Sequence, residues 1–466
     1  MTHRLSRREL LQRLGTLAGA AALGPTLTAC SGAQQQDVAA VAPTLVVLMM
    51  ENRSYDHLLG SRSLVERLPG DGLTAAMSNR ALDGAAVGIH AADPAALCLL
   101  DDPAHGWESS RAQWNGGLND GFVRVHAERY GAARMQTPMS FLGRAELPVT
   151  HALADVGASC DRWFASLMGP TWPNRMYLHS GQSNGRKNND LPEGGAFTWP
   201  TIWDRLNDAG IPWGYYYSDL PFVALFPHLG VEQLHPVIWK FHDDAAAGTL
   251  PPVVFIDPAF SANDDHPPHH PMMGQMLIQS IYDALAASPQ WPGCMLVVTY
   301  DEHGGFFDHV SPPTAADDRA ADGFDQLGFR VPTVVAGPWV RRGHVSSVVR
   351  DHSSVLRQIA ATHGLPPLGA RDAAAADLSE LLDLERIARD EPAPPDSLPT
   401  VFIDENELDA ACRGAGKPGR RPQSELERAV ELGIIPARLD LRAQVGADLR
   451  ALAARLERRG RLVVRR

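Results

Sequence analysis

Four short runs of nearly unbroken apolar residues, each halted by polar ones, constrain this chain more than any other feature. PTLVVLMM (43–50) stops at Glu51-Asn52-Arg53, VVFID (253–257) ends in its own aspartate, and MLVVTY (295–300) stops at Asp301-Glu302; RVPTVVAG (330–337) is the fourth. A strand with one face in water alternates polar and apolar residues, so a continuous run predicts a strand covered on both faces, as in a parallel sheet. Helix-like stretches separate and follow the runs, GQMLIQSIYDALAAS (274–288) and SSVLRQIAATHG (353–364) among them. The alternation predicts an α/β fold with a central, mostly parallel sheet flanked by helices. Ligands of such sheets gather beyond the carboxyl ends of the strands, so ENRSYDH (51–57) and DEHGG (301–305) are expected to meet above one edge.

The flanks of this core read differently. Residues 1–29 carry paired arginines, Arg7 and Arg8, before a stretch of small apolar residues, which resembles a twin-arginine export signal. Leu27-Thr28-Ala29-Cys30 resembles a bacterial lipobox, so a periplasmic or membrane-anchored lipoprotein held through Cys30 is expected, with secretion as the alternative. A polar linker (31–42) leads into an expected catalytic domain over 43–370. Residues 371–466 read as a helical extension, with QSELERAVELGI and RAQVGADLRALAARLERRGRL as amphipathic helices that pack or dock. The formal net charge of −12 argues against a nucleic-acid partner, which needs a clustered basic face. Cys98, Cys160, Cys294 and Cys412 lack CxxC spacing, which disfavours a zinc knuckle and allows one or two disulfides in an oxidising compartment.

Chemistry-bearing residues cluster at segment ends and loops. Glu51-Asn52 closes the first apolar run, and His105 sits among turn formers in DDPAHGWESS. Thr171 occupies a proline-bounded turn in GPTWPNRMYLHSG, while NDDHPPHHP (263–271) and DEHGGFFDHVSPP (301–313) supply further acids and histidines. Singly, each cluster is explained by helix caps, turns or a hydrogen-bonded core histidine. Together they describe an oxygen-rich divalent-metal site beside a hydroxyl nucleophile.

ENRSYDHLLG, HGW…WNGG, GPTWPNR, NDDHPP, DEHGGFFDHVSPP and GFRVPTVVAGPWV…DHSSVLR closely resemble, in order from about residue 43 to 368, the bacterial phosphoesterase family of phospholipases C and a periplasmic acid phosphatase. The resemblance implies an alkaline phosphatase-like core. It implies that Glu51, Asn52, Asp301 and Glu302, together with Thr171, surround one divalent cation. Hard oxygen donors suit Ca, Mg or Mn, and Zn accepts them too. It further implies that Thr171 is the nucleophile, and that His105 and His266 bind phosphoryl oxygens and deliver a proton to the leaving group. The acid phosphatase branch uses one more histidine, for which His228, His235 and His242 are the candidates.

The implied reaction is hydrolysis of a phospholipid on the glycerol side of the phosphate, giving diacylglycerol and a phosphorylated head group. An acid phosphatase acting on monoesters and a non-catalytic surface lipoprotein of the same fold are the alternatives. Several nearby residues read as structural. His303 is expected to hydrogen-bond behind the site, Asp308-His309 to fix a turn, and Asp351-His352 to start a helix. Arg175 either clamps phosphate or orders the Thr171 turn. Trp107, Trp114 and Trp172 either cage a choline head group or pack, with packing favoured.

Overall fold

The computed structural model describes residues 41–192, 195–410 and 424–465. The signal, Cys30 and nearly all of the expected linker therefore lie outside the described residues. An eight-stranded sheet forms the centre. Its strands are β1 (Thr44–Met50), β2 (Ala158–Cys160), β3 (Trp213–Tyr217), β4 (Leu234–Pro236), β5 (Val253–Asp257), β6 (Cys294–Tyr300), β7 (Val334–Ala336) and β8 (His344–Ser346). They lie in the order β8-β2-β7-β6-β1-β5-β3-β4. β1 is parallel to both β5 and β6, and every residue of β1 and β6 is buried, as the unbroken apolar runs require.

Only β7 runs against the other strands, pairing antiparallel with β6 and β2. The fourth run therefore yields a three-residue strand rather than a full one. The first residue of the run, Arg330, forms an isolated antiparallel bridge with Phe164 and directs its side chain into an ion-pair cluster with Asp56 and Asp308.

The flanking helices that matter here are α1 (Trp107–Trp114), α2 (Pro148–Val156), α3 (Thr171–Ser180), α4 (Pro271–Ala286), α5 (Ser353–His363) and α6 (Val445–Arg458). α3 packs on α5, and α4 packs on both α2 and α6. The C-terminal stretch includes strands as well as helices: Val401–Asp404 pairs in parallel with Leu462–Arg465. Leu449, Leu452, Leu456 and Leu462 belong to the same buried apolar cluster as β1 and β6, so this stretch packs on the core it follows. Among the described residues no helix is long and apolar enough to cross a membrane. Cys98 is disulfide-bonded, whereas Cys160 and Cys294 are free and buried.

Candidate active site

β1 and β6 lie side by side in register, Met50 opposite Tyr300, so Glu51-Asn52 and Asp301-Glu302 emerge together. The two ends are tied by main chain: Asp301 N–H donates to the Met50 carbonyl at 3.1 Å, and Asn52 N–H donates to Asp301 Oδ1 at 2.9 Å. Asn52 takes a left-handed conformation (φ 58°) to make this turn. Gly304 follows at φ 63°, and a Cβ there would collide with the Asn52 carbonyl. A side chain at 304 would push the two strand tips apart.

Thr171 enters as the first residue of α3. Asn174 fixes the turn before it, accepting from Leu167 N–H at 3.0 Å and donating to the carbonyls of Gly169 and Pro170. The hydroxyl lies at the positive end of the helix dipole, a favourable place for an anionic phosphoryl group. Thr171 Oγ1 donates to Asn52 Oδ1 at 3.4 Å. Asn52 Nδ2 faces His105 Nε2 at 3.3 Å, so one amide joins the hydroxyl to the imidazole. His105 Nδ1 donates to the Pro103 carbonyl at 2.7 Å, leaving Nε2 as the acceptor towards Asn52.

Glu51, Asn52, Asp301 and Glu302 are fully buried and Thr171 nearly so. Arg175 is the cation among them, with Nη2 3.2 Å from Glu51 Oε1 and Nη1 2.9 Å from Asp257 Oδ1. It also donates to the Met49 carbonyl at 3.1 Å. Arg175 is therefore committed to the protein and orders the strand tips; it is not a phosphate clamp.

One arginine does not balance this much acid. Asp301 Oδ2 and Glu302 Oε1 are buried without a hydrogen-bond partner; Arg175 Nε lies 4.0 Å from the first and His105 Nε2 3.8 Å from the second. Burial raises the pKa of Asp301. Burial, then the charge of Asp301, holds Glu302 well above the usual carboxylate range. Buried carboxylate oxygens without partners are costly, and a divalent cation is the group that satisfies them. Glu51, Asn52, Thr171, Asp301 and Glu302 thus fit the cation site implied by the sequence, spread around Asn52. Among the described residues, the groups whose His, Asp or Glu ligand atoms all lie within 4.8 Å of one another are different: Asp102-His105-His266 and Asp56-Asp308-His309.

The first of those groups adds a residue the sequence reading missed. Asp102 Oδ1 lies 3.4 Å from His105 Nδ1 and 3.8 Å from His266 Nε2 and has no hydrogen-bond partner. The signal was present, an acid three residues before His105 in DDPAH, but nothing local separates it from a turn former. His266 is placed by Asp264, which accepts its N–H at 3.0 Å, while the Asp264 carbonyl accepts Glu51 N–H at 2.7 Å. Burial pushes the pKa of His266 down to about 4. The two rings meet edge to face at 5.9 Å between centroids.

The remaining histidines sort by their partners. His303 lies behind the site, its Nε2 donating to Gln113 Oε1 at 2.8 Å, and Gln113 in turn holds the Ala104 carbonyl. His352 Nε2 donates to the Asp301 carbonyl at 2.7 Å, bracing the strand tip from the start of α5. His228 pairs with Asp204, the His235 ring lies tilted against Tyr216 on the edge strand β4, and His242 begins the short helix His242–Ala247. Trp172 packs against Phe197 and Phe222, and Trp114 donates to Ser311 Oγ. Trp107 is partly exposed beside Gly169.

A model of the Phosphoesterase family matches residues 42–366. Non-specific phospholipase C1 of Arabidopsis thaliana is 36% identical over 333 residues, covering 65% of this chain and 62% of its own length. The chain thus spans less than two thirds of that relative. Phospholipase C A of Mycobacterium tuberculosis is 29% identical over 436 residues, 78% of this chain and 81% of its own. A protein of the alkaline phosphatase superfamily from Vibrio parahaemolyticus is among the structural neighbours. It has a TM-score of 0.37 at 10% identity and covers 79% of each chain.

Proposed function

Because the chain belongs to the phosphoesterase family, we propose that it hydrolyses phosphate esters through Thr171 with the help of one divalent cation, and that its substrates are phospholipids. The observation that carries this reading is the placement of the Thr171 hydroxyl, at a helix N-terminus, 3.4 Å from Asn52 Oδ1 beside the unpartnered oxygens of Asp301 and Glu302. A cation held by Glu51, Asn52, Asp301, Glu302 and Thr171 would lower the pKa of the hydroxyl and neutralise phosphoryl charge.

The chain's own residues supply the rest. Arg175 and the Asn52–Asp301 hydrogen bond hold the strand tips rigid. Thr171 Oγ1 attacks phosphorus, the bond to the leaving oxygen breaks, and a phosphoryl-threonine forms that water then hydrolyses. His105 and His266 flank the phosphoryl oxygens. His266 Nδ1 donates to the Pro267 carbonyl at 2.7 Å, so Nε2 is the unprotonated atom: it takes the Thr171 proton and passes it to the leaving oxygen, and in the second step it takes a proton from water and returns it to Thr171 Oγ1. Cleavage on the glycerol side gives diacylglycerol and a phosphorylated head group, as the names of the phospholipase C relatives suggest.

Export by a twin-arginine signal, with acylation at Cys30, puts this activity at a membrane surface. The disulfide at Cys98 supports an oxidising compartment. The test is product identification with the purified protein and with Thr171→Ala, supplied with phosphatidylcholine or with p-nitrophenyl phosphate. Diacylglycerol and phosphocholine, lost in the variant, support the reading. Phosphate released from the monoester with the lipid untouched replaces it with a phosphomonoesterase, and turnover unchanged by Thr171→Ala removes the nucleophile.

A further inference from the structure

Three segments converge beside the nucleophile, and together they display an exposed lysine. α1 begins two residues after His105, and its Trp107 ring lies against Gly169, whose Cβ position would be 3.8 Å from Trp107 Cε3. The loop 183–190 comes from the other side: Asn189 Oδ1 accepts Trp172 N–H at 2.9 Å, capping the first turn of the helix that carries Thr171. Residues 319–324 close the group. Phe324 lies 5.0 Å from Trp107 between ring centroids, and a Cβ at Gly185 would meet Arg319.

Two cations share Trp107. The Arg111 guanidinium sits 3.3 Å from the ring centroid and is used up locally, donating to the carbonyls of Trp107, Met168 and Gly323. Lys187 Nζ sits 4.3 Å from the same centroid and 5.6 Å from that of Phe324. Lys187 is exposed, and among the described residues it has no hydrogen bond or ion pair. The neighbouring acids are engaged elsewhere: Asp190 with Asn188, Asp317 with Tyr177 and Arg371, and Asp322 with Arg319. Glu108, in the first turn of α1, is the acid facing Arg111.

We propose that Lys187, parked on Trp107 beside the Gly169–Thr171 turn, determines head-group specificity by favouring a phosphodiester whose head group carries a further anionic group. The inference rests on the phosphodiesterase reading above. A quaternary ammonium binds an aromatic ring, but this ring already holds two cations, so a choline head group meets repulsion where it would need π density. A carboxylate or phosphate on the head group meets an ammonium free to pair with it. Trp107 serves as the platform that keeps the lysine stem extended towards the site.

A competition assay reads this directly. Phosphatidylserine and phosphatidylcholine are presented at equal mole fraction in the same uncharged-detergent micelles, so that both meet one surface charge. The released phosphoserine and phosphocholine are counted by mass spectrometry. The unaltered full chain is expected to release more phosphoserine. Lys187→Met, which keeps the stem, lowers the phosphoserine-to-phosphocholine ratio roughly fivefold, the worth of one partly exposed ion pair. Lys187→Arg retains the ratio and Lys187→Glu lowers it further. A ratio unchanged in Lys187→Met, or an excess of phosphocholine from the unaltered chain, overturns the proposal alone. Failure to cleave either lipid overturns the phosphodiesterase reading and the proposal with it.

Discussion

The segment DEHGGFFDHV carries two acid–histidine groups a few residues apart, and they end in opposite electrostatic states. At Asp308-His309 every charge is answered. Arg330, fully buried, donates to Asp308 Oδ1 at 2.9 Å and to Asp56 Oδ1 at 3.0 Å. His309 donates to Asp56 Oδ2 at 2.7 Å and faces Asp71 Oδ1 at 3.0 Å. Here a guanidinium stands where a metal ion would otherwise be needed, although Asp56, Asp308 and His309 are close enough to hold one. At Asp301-Glu302 the nearest guanidinium is shared among Glu51, Asp257 and Asp301, and two carboxylate oxygens accept nothing. The same residue types thus build a satisfied scaffold where a cation is supplied by the chain and leave buried carboxylate oxygens unanswered where it is not.

The largest expected effect tests the open end. Thr171→Ala should cut turnover by roughly 10⁴-fold or more, as loss of a nucleophile does in other hydrolases, while the melting temperature stays within about 1 °C. Thr171 contributes one long hydrogen bond, so a large loss of stability would mean that it is scaffold instead.

Arg330→Met tests the closed end. It leaves Asp308 buried without its guanidinium and Asp56 with His309 alone, and breaking a buried pair costs about 3–5 kcal/mol. Urea unfolding should show that loss, and a change below about 1 kcal/mol would mean that the network is dispensable.

A metal titration compares the two ends directly. Adding Ca, Mg, Mn or Zn to chelator-treated protein should raise stability by about 2.7 kcal/mol at a hundredfold excess over the dissociation constant. Asp301→Asn should abolish that gain, whereas Asp308→Asn, although destabilising, should retain it. If Asp308→Asn abolishes the gain and Asp301→Asn does not, the assignment of the two ends is reversed.

How much of this was legible depended on how local the signal was. The strand tips and their acids could be read because an apolar run that stops at acids is a property of adjacent residues. Thr171 and His266 were pointed to by the family resemblance of GPTWPNR and NDDHPP, motifs that each lie within one short segment. Asp102, Asn174 and Gln113 were not singled out. Each acts through side-chain hydrogen bonds or close approaches that only the folded chain creates, as when Gln113 meets His303 across 190 positions. The pairing of Val401–Asp404 with Leu462–Arg465 was hidden for the same reason, since neither short strand has a distinctive pattern without the other. Trp107 is ambiguous in the sequence between a choline cage and core packing, and the two cations on its ring are visible only in the folded chain.

The smallest expected effect concerns pH at the closed end. Burial disfavours the charged form of His309, but the hydrogen bond and charge of Asp56, followed by the charge of Asp308, outweigh burial and the opposing charge of Arg330, so the pKa lies above its ordinary value. A folded-state pKa above the unfolded value near 6.5 means that His309 stabilises the protein fully below about pH 6.5. That contribution fades as pH rises through the raised folded value. His309→Gln, which keeps a donor but no charge, should therefore be destabilised by about 1 kcal/mol at pH 5.5 and nearly level with the unaltered chain at pH 9. Urea unfolding of both proteins at the two pH values measures the difference. A gap that is constant with pH would show that His309 contributes shape and hydrogen bonding only, and that Arg330 alone supplies the positive charge that closes this end.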